Sequence, residues 1–443
     1  MKTLNIAVTS LLLFAGEAFA VSTVSDVVAR QRWPWNGKVD IDYTLTGDKT
    51  DVDFYATWDG QTTPVFLGTD YSAEAGQHRY ELDPSAFGLS DKVTTGFTVT
   101  ASAVSADDHK YLVVDLVNGG YSYLAGIPAG NDGKWTDEYK TRKMVFRRIP
   151  LAGQTCTLGI SKEELDKWYS PSTGNPYKDE QRGRGARQQS FGSDFYMAIF
   201  QMSEAQYDAV TKGSVGTKLT PKTLPYNELR GSTNETDGIN WPSTKYRVAV
   251  DSVVQKLRNL TGGRLLVDLP TEEQWEAAAR AGTTTVFPVG GTVDMTDDEL
   301  LSILDPVAWY FNNGGTEAKA VGLKNPANSL GLFDLVGNRT EWTLDVYWVD
   351  VYGRVVAPTA GKDVVGRATW QNNPSTGSAS YKTRVNAAFG MRVARSSYPN
   401  YSNVVIQQQM LPSVRTYADP ASQYACSARL CIHLKSLDFT TAN

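Results

Sequence analysis

Asp268–Thr284 reads DLPTEEQWEAAARAGTT, and it declares a helix by its two ends. Thr271 stands where a hydroxyl accepts from the backbone N–H three residues on, and Gln274 is placed to answer from that position, the reciprocal arrangement called a capping box. Glu272 and Glu273 put negative charge on the first turn, where the peptide dipoles favour it. Gly282 supplies the stop. Ser203–Gly213, SEAQYDAVTKG, is built the same way, with Ser203, Gln206 and Gly213 in the same three roles. VAVDSVVQKLRNLTGG, Val248–Gly263, predicts a third helix with Val250, Val253, Val254 and Leu257 on one face and Gly262 at its end. Between and after these helices lie short segments broken by Gly and Pro, the pattern of an α+β domain held by aromatic packing and loops rather than by a large regular sheet.

The first third of the chain has a different period. KVDIDYTL alternates Val39, Ile41, Tyr43 and Leu45 against polar partners, and DVDFYATW does the same with Val52, Phe54, Ala56 and Trp58. GQHRYELDP and TTGFTVTAS continue at short spacing with turn residues between them, so residues 21–110 are predicted to form a small all-β sandwich module. Residues 111–147 read as bridging strands and loop, opening on YLVVDLV. A new unit is expected to start near Arg148, and STGNPYKDEQRGRGARQQS to be an exposed loop.

The chain has 443 residues, enough for two or three cores. Hydrophobic residues at 41%, charged residues at 21% and eleven tryptophans describe an aromatic-rich globular protein. A net charge of -5 gives no electrostatic reason to expect nucleic acid as a partner. Lys2, the apolar run IAVTSLLLFAG and Ala18-Phe19-Ala20 read as a signal peptide over residues 1–20, and no later stretch is apolar enough to span a membrane. The expected location is therefore secreted, periplasmic or at the cell surface. Of the three cysteines, Cys426 and Cys431 are expected to close a small local disulfide, leaving Cys156 buried on a strand.

Several phrases together resemble one family, the formylglycine-generating enzyme (FGE) or sulfatase-modifying factor domain. They stand in family order: IPLAGQTCTLG from Ile149, DFYMAIFQMSEAQYDAV from Asp194, the Asp268 stretch, NSLGLFDLVGNRTEW from Asn328, GRATW from Gly366, and FGMRVAR from Phe389 as the closing phrase. The resemblance covers residues 148–395 and leaves 396–443 as a C-terminal tail. It implies an α+β fold of low regularity, a variant related to the C-type lectins, preceded by the β-sandwich module.

The resemblance also implies site residues. The family's GLFDLVGNRTEW loop commonly surrounds calcium, which wants six to eight hard oxygens. Carried over, the ligands are the Asp334 side chain, the carbonyls of Gly337 and Arg339, and the Glu341 carboxylate. The alternative is that Asp334 caps a turn, Glu341 pairs with an arginine and Trp342 fills the core. Family catalysis converts a sulfatase cysteine to formylglycine with oxygen and copper(I) held by two cysteines just after the GRATW-like strand. There this chain has TWQNNPSTGSASYKTR, Thr369–Arg384, without a cysteine. Soft thiolates cannot be replaced by hard oxygen for that ion.

Two function classes follow. In the first, a non-catalytic exported protein uses the scaffold to bind a peptide, protein or glycan, with Trp309, Trp370 and Tyr381 as stacking residues. In the second, a formylglycine-generating oxidase uses Cys426 and Cys431, which keep the family's spacing but lie after the closing phrase. The three histidines, His78, His109 and His433, are scattered. That scatter argues against the three-histidine iron site of the related sulfoxide synthases and against a Ser-His-Asp hydrolase.

Overall fold

The computed structural model describes residues 22–32, 37–90, 92–168, 185–215, 223–226, 252–346, 392–395, 411–412, 416–418 and 426–435. The chain divides into two compact units, Met1–Ala106 and Asp107–Asn443.

The first unit holds two three-stranded antiparallel sheets. One has the order β1 (Thr23–Gln31), β2 (Val39–Thr46), β5 (Gly76–Leu82); the other has β4 (Val65–Ala73), β3 (Thr50–Thr57), β6 (Thr98–Val104). The period-two pattern does what it predicts. Ile41, Tyr43 and Leu45 of β2 and Val52, Phe54 and Ala56 of β3 are buried in one core, with the Tyr43 and Phe54 rings edge-on at 5.3 Å. The polar alternates are only partly outward, since Asp51 and Asp53 of β3 and Asp40 of β2 are buried; Arg32 Nε donates to Asp40 at 2.9 Å and Arg79 Nε to Asp42 at 2.6 Å. At Gly68, with φ of 151°, a Cβ would stand 2.1 Å from the Tyr80 hydroxyl, so only glycine lets that ring close over β4. The strands β1 and β4 were not among the strands expected from sequence.

The second unit is built on a six-stranded sheet of order β13 (Leu266–Asp268), β18 (Cys431–His433), β12 (Phe195–Ala198), β9 (Lys143–Ile149), β7 (Tyr111–Asp115), β8 (Tyr121–Leu124), every pair antiparallel. A four-stranded sheet has the order β16 (Thr416–Ala418), β15 (Arg392–Arg395), β14 (Thr340–Val346), β17 (Cys426–Ser427), the last pair parallel. A hairpin joins β10 (Thr155–Leu158) to β11 (Arg187–Ser190). The architecture is α+β, with short helices and strands of mostly three to nine residues set among loops.

All three expected helices are present. The helix Glu272–Arg280 has its complete capping box, and its left-handed C-cap is Ala281 rather than Gly282. The helix Glu204–Lys212 runs from Ser203 to a left-handed Gly213 as expected. The third is shorter than its apolar pattern, Val253–Leu260, because the Ser252 hydroxyl accepts from Gln255 N and starts it there; Val250 lies outside the described residues. Most of STGNPYKDEQRGRGARQQS also lies outside them, and its end forms β11.

Three expectations about organisation need correction. The bridging strands are not a separate segment, since β7 and β8 continue the sheet through β9. Arg148 likewise lies inside β9, so no unit starts there. The run from 396 onward is not appended to a closed domain either: β18 lies between β13 and β12, with Ile432 opposite both Val267 and Tyr196. The compact unit therefore continues past the phrase FGMRVAR. Its described part, β15, is the antiparallel neighbour of β14, and CSARLCIHL supplies the closing strand. Finally, Cys426 and Cys431 are free and form no disulfide. Each belongs to a strand of a different sheet. Cys156 is free on β10 and half-buried rather than fully buried.

Candidate functional site

The loop before β14 turns through backbone that few side chains tolerate. Asp334 and Asn338 have φ of 54° and 59°, in the left-handed region that Asp and Asn enter more readily than other non-glycine residues, and Gly331 and Gly337 have φ of 79° and 80°. Hydrogen bonds hold these turns. Asn338 donates its N–H to Trp309 O at 2.9 Å, and its side chain both accepts from Lys319 N at 2.9 Å and donates to Lys319 O at 3.1 Å. Asn328, at the head of the loop, donates to the carbonyls of Ala278 and Ala279 at 2.7 and 3.0 Å. Those are carbonyls that the end of the Glu272 helix leaves without intrahelical partners.

At the loop's centre Glu341 is fully buried. Its Oε1 accepts from Gln201 Nε2 at 2.9 Å and Arg429 Nη2 at 2.7 Å, and its Oε2 from Trp275 Nε1 at 2.6 Å and Arg429 Nε at 3.0 Å. Gln201 Nε2 also meets the carbonyl of Arg339 at 2.8 Å. Asp334, nearly as buried, accepts from Gly322 N at 2.8 Å on one oxygen. Burial pushes its carboxyl up to about 6, against the pull of that N–H and of Arg429.

These contacts decide how the expected ligands fit calcium. Both Glu341 oxygens are engaged by four N–H donors, the Arg339 carbonyl is taken by Gln201, and Asp334 holds Gly322. Asp334 Oδ1 and Gln201 Oε1 are left as buried oxygens with no hydrogen-bond partner. With Glu341 committed to Arg429, the free side-chain oxygens are these two and carry one charge, where calcium collects six to eight hard oxygens. The donor set as folded does not fit that ion, and Glu341 pairs with an arginine.

The two thiols do not fit copper(I). Cys426 is buried on β17, where loss of hydration pushes its thiol up to about 12, and Cys431 is buried in the central sheet. No group of three or more His, Cys, Asp or Glu among the described residues could hold a metal. Trp309 is half-buried under the Lys324 ammonium, 4.1 Å from the ring centroid, and is held against the loop through its backbone. Trp370 and Tyr381 lie outside the described residues.

Each of the three histidines has its own partners. His78 is on β5 against Tyr43, His109 packs on Tyr123, and His433 is on β18. His433 is neutral and buried: its Nε2 meets Leu269 O at 3.1 Å, and its Nδ1 faces Gln274 Nε2 at 3.3 Å and Cys431 Sγ at 4.0 Å. Burial, with the Arg258 charge adding to it, drives its pKa down to about 4. Between that value and the ordinary 6.5 the unfolded chain binds a proton the native chain does not, so this residue costs stability as pH falls, about 3 kcal/mol over the whole window. Asp268 and Asp334, both raised to about 6, have the opposite sign, because their native forms take up protons first. The His433 contribution is therefore read by difference. The melting temperature of His433→Gln, relative to the parent chain, is expected to climb as pH falls from about 7 to about 5. A difference that stays flat across that range refutes a buried neutral His433.

Gln201 and Arg429, which organise the loop, were not read from the sequence. Both stand inside apolar runs, YMAIFQMS and SARLCI, where a polar or charged residue signals a paired buried group.

Residues 170–397 match the sulfatase-modifying factor enzyme 1-like domain. The chain is 34% identical over 125 residues to the inactive C-alpha-formylglycine-generating enzyme 2 of Mus musculus, covering 28% of this chain and 37% of that protein. It is 35% identical over 88 residues to the formylglycine-generating enzyme of Mycobacterium tuberculosis, covering 18% of this chain and 27% of that one. The chain thus spans about a third of the length of the curated relatives it matches. The structure of PvdO from Pseudomonas aeruginosa aligns with a TM-score of 0.39 at 17% identity over 66% of this chain and 94% of that one, a likeness too distant to bear on the site.

Proposed function

The chain belongs to the sulfatase-modifying factor enzyme 1-like family, and from that premise we propose that it is a non-catalytic member that uses the scaffold to hold a peptide, protein or glycan outside the cytoplasm. One observation carries this reading: the C-terminal thiols are buried on strands of two different sheets, and the sequence has no cysteine between Cys156 and Cys426. A copper(I) oxidase needs two thiolates facing one cleft, and a thiol held up at about 12 does not ionise near neutrality. That one relative bears the name of an inactive enzyme agrees with this reading. Export rests on the signal-like start of the chain, Lys2 to Ala20. Among the described residues no helix is long and apolar enough to cross a membrane.

The purified chain, given copper(I) and a peptide carrying a sulfatase-type cysteine, is expected to bind no copper, consume no oxygen above the blank and form no formylglycine. Turnover that disappears in Cys426→Ser or Cys431→Ser would overturn the proposal. For the ligand, Trp309 is the described residue of choice, with exposed Phe311 and Leu323 close to it and to its covering Lys324 in sequence. On arrays of peptides and glycans, Trp309→Ala is expected to weaken the strongest interaction roughly ten-fold, the scale of one lost aromatic anchor. An unchanged profile would remove Trp309 from the surface.

A further inference from the structure

The Glu341 loop needs positive charge at its centre, and the chain brings its own. Arg429 sits on the three-residue connector between β17 and β18, fully buried, as is its partner Glu341. Its fork meets both carboxylate oxygens, Nε at 3.0 Å and Nη2 at 2.7 Å, in the bidentate geometry that guanidinium and carboxylate share. Its remaining donors reach two backbone carbonyls from different parts of the unit, Nη1 to Ala198 O at 3.0 Å and Nη2 to Phe333 O at 2.7 Å. Two carboxylate oxygens and two carbonyls are the kind of hard-oxygen shell a divalent cation would collect.

We propose that Arg429 is the resident cation of this loop: the closing strand delivers a tethered guanidinium where the family resemblance places calcium, so tail docking, not metal, orders residues 331–341. The connector is anchored at both ends, by Met202 N on Ala428 O and Ala198 N on Leu430 O, each at 2.8 Å. The charge is thereby delivered in a fixed position with its own strands. A divalent ion approaching Glu341 would have to expel a guanidinium that has no water to retreat into, leaving it buried and unpaired. Gln201 completes the arrangement, its amide nitrogen lying between the Arg339 carbonyl and Glu341 Oε1.

The test combines metal titration of the full chain with a double-mutant cycle. The parent chain is expected to melt at the same temperature in EDTA and in millimolar calcium chloride. Arg429→Met is expected to lower the melting temperature by on the order of 10 °C, because it leaves Glu341 buried without a counter-charge. Glu341→Gln combined with Arg429→Met is expected to recover most of that loss, showing the two side chains to be coupled. In Arg429→Ala, which empties the space, calcium or low guanidinium is expected to raise the melting temperature, while leaving the parent chain unmoved. A parent chain destabilised by EDTA, or single-variant effects that simply add, would overturn the proposal. The EDTA comparison needs no variant, so it decides the matter even if Arg429→Met does not fold.

Discussion

Ending the chain at Ala425 is expected to leave the first unit folded and the second unfolded. The deletion removes β18 from between β13 and β12, so both neighbours lose a ladder at once. Leu430 and Ile432, each at 1% exposure, take with them about 3–6 kcal/mol of burial. Glu341 loses Arg429 and is left as an uncompensated buried acid, at about 3–5 kcal/mol more. Together these reach the roughly 5–15 kcal/mol that holds a typical domain, before any ladder hydrogen bond is counted. Limited proteolysis should yield a resistant fragment ending near Ala106, the boundary of the first unit, with the rest digested. A truncated chain that keeps a second cooperative melting transition would show that the tail is an accessory after all.

Glu276→Ala is expected to cost the second unit about 3–5 kcal/mol, because it strands a buried cation. Glu276 is fully buried on the Glu272 helix, where its Oε1 accepts from Gly159 N at 2.7 Å and Arg280 Nε at 2.9 Å. Arg280, also buried, donates to Gly159 O at 3.0 Å, so helix and β10 turn are clasped through both backbone polar atoms of one residue. Removing the acid leaves the guanidinium without its counter-charge and the Gly159 N–H without its acceptor. Glu276→Gln retains an acceptor and gives up only the charge, so it should lose clearly less. Urea midpoints of the second transition would measure both, and an alanine variant within about 1 kcal/mol of the parent chain would contradict the clasp.

How much of this was legible follows from how far each interaction reaches along the chain. The helix starts at Ser203 and Thr271 were readable because a capping box is closed by residues three apart. The β2 and β3 faces were readable because side chains alternate strictly along a strand. The place of the tail was not. CSARLCIHL carries strand-like alternation, but nothing local says that Cys431 will pair with Met197 on one side and Asp268 on the other. Taking FGMRVAR for the closing phrase then put Arg429 outside the domain, and with it the partner of Glu341. The loop residues themselves are legible in the sequence, which allows an arginine partner for Glu341 as one of two readings. Trp370 and Tyr381 fall outside the described residues, so the fold says nothing about them.

By itself the sequence determined the β-module's two alternating faces, the capped helices, the family, and the lack of any cysteine across residues 157–425. Only the tertiary structure decided that the last strand lies inside the central sheet, that the two late thiols are unbonded and buried on different sheets, and that Glu341 is neutralised by an arginine 88 residues away. The physical reason is one of range. Caps and periodicity are settled by neighbours on the same turn or strand, whereas a buried charge must find its counter-charge wherever folding brings one.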